Sequence, residues 1–191
     1  LELSCFHIVM VASDSQAKEE GTDMGSQATT TEYRYAMHLE APATDVFPLL
    51  CPVRENDWVV GWQDITTLVH SGSGVAELGA VFQTAHAGAT PETWVITEYW
   101  PAERIAFARF DGDVVTRLNI DLAEQGGRTT ATWVTSQVAI NPAGDTRVAG
   151  MTQERHDVAR AGLEVMLQHY LRTGKMIDRE ALRRRLDAPE S

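Results

Sequence analysis

Three residues in the middle of the chain carry complementary chemistry: His86, Glu92 and Arg109. An imidazole with a pKa near neutrality beside a carboxylate can remove a proton next to a carbonyl, and a guanidinium can steady the enolate that forms. The same trio can instead fix the polar end of a small molecule held in an apolar pocket. A plainer alternative is an Arg109–Glu92 ion pair at the rim of two strands, worth about 0–1 kcal/mol if exposed, with His86 solvated. No sequence motif for a nucleophile, a phosphate loop or a metal accompanies them. The two cysteines, Cys5 and Cys51, form no CxxC and no Cys/His pair at ligand spacing, so neither a disulfide scaffold nor a zinc site is implied. No cofactor and no metal are expected, and Cys51 reads as an inert small hydrophobe.

Whether the three can meet depends on the strands that carry them. From Glu32, "EYRYAMHLEAP" alternates Tyr33, Tyr35, Met37 and Leu39 against Arg34, His38 and Glu40, the period of a half-buried strand. Six more strand-like segments follow at roughly 62–70, 79–86, 92–100, 103–110, 113–123 and 128–139, separated by "GSG", "AGATP", "WPAE", "DGD" and "QGG". A two-residue Asp111-Gly112 turn would pair Phe110 with Asp113. Arg109 then shares the face of Ile105, Phe107, Leu118, Ile120 and Leu122, pointing inward. The same parity across Pro101-Ala102 turns Trp94, Ile96, Glu98 and Trp100 inward, with Glu92 beside Arg109. Phe82, Thr84 and His86 form the inward set of the preceding strand, and Trp133 follows on the last if "GG" is its turn. One bulge anywhere would reverse part of this assignment.

Before and after these strands lie helical signals. "ATDVFPLLCPVREND" offers two short helical pieces broken by Pro48 and Pro52, and Trp58 and Trp62 follow as the expected lining of an entrance, or as ordinary core. After "NPAG" one long helix is expected from about Asp145 to Thr173, roughly 42 Å at 1.5 Å per residue. Its stripe runs through Val148, Met151, Ala159, Leu163, Met166 and Tyr170, with Gly174 as the cap. Leu163, Met166 and Tyr170 read as core and as the cavity floor, and His156 and His169 as surface histidines.

The order of elements and three phrases, "LEAPATDVFPLL", "ETWVITEYWPAERIAF" and "GGRTTATWV", resemble the START-like (SRPBCC) superfamily of polyketide cyclases, lipid-transfer domains and the birch pollen allergen. The resemblance covers about 32–174. It implies an α+β helix-grip fold, in which a seven-stranded antiparallel sheet curls around the long C-terminal helix, with two short helices after the first strand. It further implies a cavity between sheet and helix that takes a lipid-like or polyketide-like molecule.

A chain of 191 residues, 43% hydrophobic and 23% charged, suits one soluble domain. Its formal charge of -11 argues against nucleic acid and against an anionic membrane surface. Residues 1–31 read as a poorly ordered leader or an artefact of expression, with Met24 an alternative start, and 175–191 as a basic helical or disordered tail. The expected partner is a small apolar or amphipathic molecule, an uncharged one being the first class to try, in a cytoplasmic protein with no membrane insertion. The oligomeric state is left open, with a dimer one option. Binding competes with a cyclase- or dehydratase-like activity that uses His86 or Glu92 as base, and with a protein-interaction role similar to the superfamily's stress-protein activators.

Overall fold

A computed structural model describes residues 28–187. Most of the expected leader, and the last four residues of the expected tail, lie outside the described residues. Seven strands form one sheet: β1 (Thr30–Leu39), β2 (Thr66–His70), β3 (Val81–Thr84), β4 (Glu92–Trp100), β5 (Arg104–Phe110), β6 (Val114–Gln125) and β7 (Arg128–Ala139). Their spatial order is β1-β7-β6-β5-β4-β3-β2, with every neighbouring pair antiparallel. Helices α1 (Ala43–Val46), α2 (Pro142–Gly150), α3 (Gln153–Thr173) and α4 (Arg179–Asp187) complete the fold, with 3-10 turns at Phe47–Leu50, Arg54–Asp57 and Trp62–Asp64. This is the expected helix-grip arrangement: α3 lies against the sheet, and Glu164 on it accepts from the Tyr35 hydroxyl and the His38 backbone N–H of β1, both at 2.7 Å.

The hairpins explain the register. Gly126 and Gly127 have φ of 62° and 76°, the left-handed pair that a tight two-residue hairpin demands, so Gln125 pairs with Arg128 as expected. The β5–β6 connection differs from the expected two-residue turn, because Phe110 pairs with Val115 and not Asp113. The cause is the Asp111 side chain, which accepts from the backbone N–H groups of Asp113 and Val114 at 3.0 Å and holds a wider loop. A slip of two preserves the faces, so Arg109 still points inward.

Between β4 and β5 the register shifts by one between Ile96 and Glu98. Trp94 and Ile96 face inward as expected, but Glu98 and Trp100 turn out, where Glu98 pairs with Arg104 at 2.7 Å and Trp100 is exposed. Tyr99 takes the inner place, edge-on to Phe47 at 5.2 Å. This is the physical effect of one extra residue, which reverses every side chain beyond it.

The single long helix expected from Asp145 is two. Met151 and Thr152 are extended, with ψ of 137° and 158°, and the Thr152 hydroxyl accepts from the Arg155 N–H to start α3 afresh. The strand expected at 62–70 is shortened to β2 by the 3-10 turn at its start, and the one at 79–86 to β3. Beyond Gly174 the tail forms α4, but it is not merely solvated: Ile177 and Leu182 are buried in the main core with Met37, Leu50, Trp58 and Leu167. Among the described residues no helix is long and apolar enough to cross a membrane.

Candidate functional site

Between the sheet, α2, α3 and the 3-10 turns lies a cavity of about 390 Å³. The side walls are the inward faces already read from parity, with Phe82, Trp94, Phe107, Leu118, Ile120 and Trp133 supplying much of the apolar surface. Phe82 and Trp94 stack at 5.4 Å, with Phe107 edge-on to both, so that part of the wall is fixed by ring packing.

On the sheet side, Glu92 and Arg109 stand on adjacent strands and pair at 3.1 Å. Glu92 is 5% exposed and also accepts from the Thr84 hydroxyl at 3.0 Å. Thr84 in turn accepts from the Trp94 indole at 2.9 Å, and Arg109 donates to Thr116 at 3.1 Å while its guanidinium lies 5.0 Å over the Trp94 ring. The pair is thus tied to both neighbouring strands and to the aromatic wall. His86 lies past the end of β3, half-buried on the same cavity wall. The structure therefore gathers all three residues in one cavity, with Glu92 and Arg109 in contact.

The helix side carries a second polar group that sequence reading did not assemble. His156, expected on the surface, is buried; its Nε2 lies 3.1 Å from the Thr135 hydroxyl of β7, and its ring stacks on Tyr33. Burial and then the nearby Arg160 push the imidazole down to about 4, only partly offset by Asp157, so it is neutral at physiological pH. Because Arg160 Nε donates to His156 Nε2 at 3.4 Å, the ring proton belongs on Nδ1. Arg160 covers the Trp133 ring at 4.7 Å. Burial first, and Arg109 second, bring its pKa down to about 10, with Glu55 opposing, so it stays charged. Glu55, on the 3-10 turn behind Pro52, faces the cavity too, and burial raises it to about 8 against the pull of Arg160.

A signal for these residues existed. His156, Arg160 and Leu163 fall at i, i+4 and i+7 on the very face assigned to the cavity, and Thr135 shares the parity of Trp133. Glu55 had none, since a single 3-10 turn of four residues after Pro52 has no period to read.

Trp62 and Leu163 line the cavity as expected; three other expected lining residues do not. Trp58 is fully buried and its indole donates to the Leu49 carbonyl at 2.8 Å, which makes it core. Met166 is likewise core, and Tyr170 packs partly buried against it. The cavity face of the helical region lies earlier, around 148–163, where α2 gives way to α3. At the far end Asp111 and Arg147 close the wall with an ion pair at 2.7 Å. Cys51 is buried, its sulfur accepting from the Ala76 N–H. Among the described residues no cluster of His, Cys, Asp or Glu could hold a metal ion.

No family model matches this chain, and no curated protein matches it in sequence. Solved structures do match in shape. Norcoclaurine synthase from Thalictrum flavum, in complex with dopamine and hydroxybenzaldehyde, is 12% identical with a TM-score of 0.57, over 84% of this chain and 98% of that one. Ara h 8.0201 is also 12% identical, with a TM-score of 0.54 over 76% of this chain and 99% of that one. DynU16, a protein in the dynemicin biosynthetic locus, is 19% identical with a TM-score of 0.50; the match spans 75% of this chain but only 48% of that one. At these identities the likeness is one of fold.

Proposed function

We propose, from the helix-grip fold shared with these structures, that the chain binds a small amphipathic molecule between sheet and helix, its apolar body against the aromatic wall. One observation carries this reading: the Glu92–Arg109 pair is held at 3.1 Å on the wall of a cavity of about 390 Å³. Taking two charges out of water costs several kcal/mol per ion, and a buried pair seldom returns more than an apolar replacement would. Such a pair on an otherwise aromatic wall suits the orientation of a ligand's polar end, and the volume is within the usual range for small-molecule sites of about 300–1,000 Å³.

The test is native mass spectrometry of the purified protein together with a fluorescence titration of N-phenyl-1-naphthylamine, an uncharged aromatic probe. Saturable binding of one probe per chain is expected. A discrete co-purifying mass, reduced in Arg109→Met, would support a role for the pair in holding the polar end. No co-purifying mass, with no saturable binding of this probe or of an anionic analogue, would overturn the reading.

A second reading, an enzyme that transfers a proton on a bound carbonyl compound, is favoured by Glu55. A carboxyl poised at about 8 and facing the cavity has the pKa wanted of a general acid or base near neutral pH. Turnover of an identified ligand that disappears in Glu55→Gln, with binding retained, would decide for it.

A further inference from the structure

The cavity has two polar sides. The Glu92–Arg109 pair on the sheet is electrically complete, since the carboxylate contacts the guanidinium through both oxygens, at 3.1 and 3.2 Å. Arg147, at the far end, is matched by Asp111 at 2.7 Å and Asp113 at 3.4 Å. Arg160 on α3 is different. Its contacts are to neutral groups: His156 Nε2 and the Thr135 hydroxyl, both at the long distance of 3.4 Å, and the face of Trp133. A guanidinium has five N–H donors, so most of its capacity remains for something else.

The groups around it add donors and few acceptors. The Trp133 indole N–H is buried without a protein hydrogen-bond partner among the described residues, and His156 Nδ1 faces only the Asp157 carboxylate, at 3.6 Å. The Tyr33 hydroxyl is already committed to the Met151 carbonyl at 2.9 Å. Glu55 acts on Arg160 through space and not by a hydrogen bond. With its pKa raised to about 8, Glu55 keeps its proton at neutral pH and leaves the guanidinium uncompensated. Arg109, across the cavity, adds repulsion, as the lowered pKa of Arg160 records. Arg160 is half-buried, and a cation drawn that far from water with surplus donors is costly unless an anion meets it.

We infer that Arg160, lying over Trp133 and beside Thr135 on the α3 side of the cavity, is the seat for an ionised oxygen head group, so that the ligand is an amphipathic organic acid. Carboxylates and ionised phenols or enols share this chemistry. The inference rests on the cavity-binding reading above and replaces the uncharged ligand expected from sequence.

Two probes with one aromatic skeleton test it: 8-anilino-1-naphthalenesulfonate, which carries the anion, and N-phenyl-1-naphthylamine, which lacks it. Wild type is expected to bind the sulfonate at least about tenfold more tightly than the amine, the worth of a charge-assisted contact in a site shielded from water. The ratio should fall toward one in Arg160→Met and be largely kept in Arg160→Lys, which retains the charge. Near-UV circular dichroism identifies a variant that has lost its packing, and the wild-type ratio stands without any variant. Equal affinities in wild type, or a ratio unchanged in a folded Arg160→Met, would overturn the anion seat and leave cavity binding intact. Saturable binding of neither probe would overturn both.

Discussion

Glu55 and His156 titrate in opposite senses, and each yields a prediction of definite sign. For Glu55 the folded value is raised to about 8 by burial, while the unfolded carboxyl keeps its ordinary value near 4.5. Between those two pH values the folded state holds the proton and the unfolded state does not, so stability falls as pH rises through that window. Glu55→Gln removes the penalty; the expected gain over wild type is about 1–2 kcal/mol at pH 9 and near zero at pH 4, after discounting for the surface Glu55 keeps. Urea unfolding at both pH values checks it, and an equal difference at the two would mean an ordinary carboxyl. For His156 the folded value is depressed to about 4, chiefly by burial and then by Arg160. The unfolded imidazole takes up a proton near 6.5 that the folded one refuses, so this contribution is present above that pH and is lost as pH falls toward 4. His156→Gln should flatten the loss between pH 7 and pH 4 by roughly 2–3 kcal/mol.

At the scale of elements, the junction between α2 and the β5–β6 loop sets the far wall of the cavity. The Asp111 carboxylate is worked against by burial, yet Arg147 and the N–H groups of Asp113 and Val114 hold its pKa below the usual range. Gly144 in α2 sits so close to this loop that a Cβ there would overlap the Asp113 carbonyl oxygen, a backbone atom that cannot swing aside. Gly144→Ala is therefore expected to cost about 1–3 kcal/mol through overpacking and to push α2 away from the loop. An unchanged denaturation midpoint would show that the helix can slide at no cost. The same junction marks what could be read from sequence. Alternation put Phe82, Trp94, Arg109 and Trp133 on the cavity face, and it survived the wider Asp111 loop because a slip of two keeps parity. It failed beyond Ile96, where a single extra residue sent Trp100 outward. The break at Met151 and Thr152 was hidden because neither residue forbids a helix; only the capping hydroxyl separates α2 from α3. Arg160 and His156 were legible by position and missed because charged residues on a helix are usually solvated. The burial of His156 and the half-burial of Arg160 are tertiary facts, set by Thr135 and Trp133 on β7.

For the molecule as a whole, the question is where the cooperative unit ends. A boundary at Gly174 follows from sequence, since the arginine-rich segment after it looks solvated. The core runs further: Ile177 and Leu182 are 3% and 5% exposed and belong to the same cluster as Met37, Trp58 and Leu167. Fully burying such a side chain contributes about 1.5–3 kcal/mol, and removing one from a packed core costs about 2–5 kcal/mol. Domain stabilities are only about 5–15 kcal/mol, so two such losses are a large fraction. The Arg179 side chain also lies against Gly61, whose φ of 83° starts the turn that carries Trp62 into the cavity wall. The last helix thus braces a part of the wall remote from it in sequence. A chain ended after Gly174 should melt at least about 10 °C lower, by the usual conversion of a few kcal/mol in a domain of this size. It should also hold N-phenyl-1-naphthylamine more weakly than the full chain when both are compared well below their melting temperatures. Leu182→Ala, which keeps Arg179, should lower the melting temperature while leaving the probe affinity closer to wild type. Were the truncated chain to melt with the full one, α4 would be an appendage and the burial of Leu182 energetically idle.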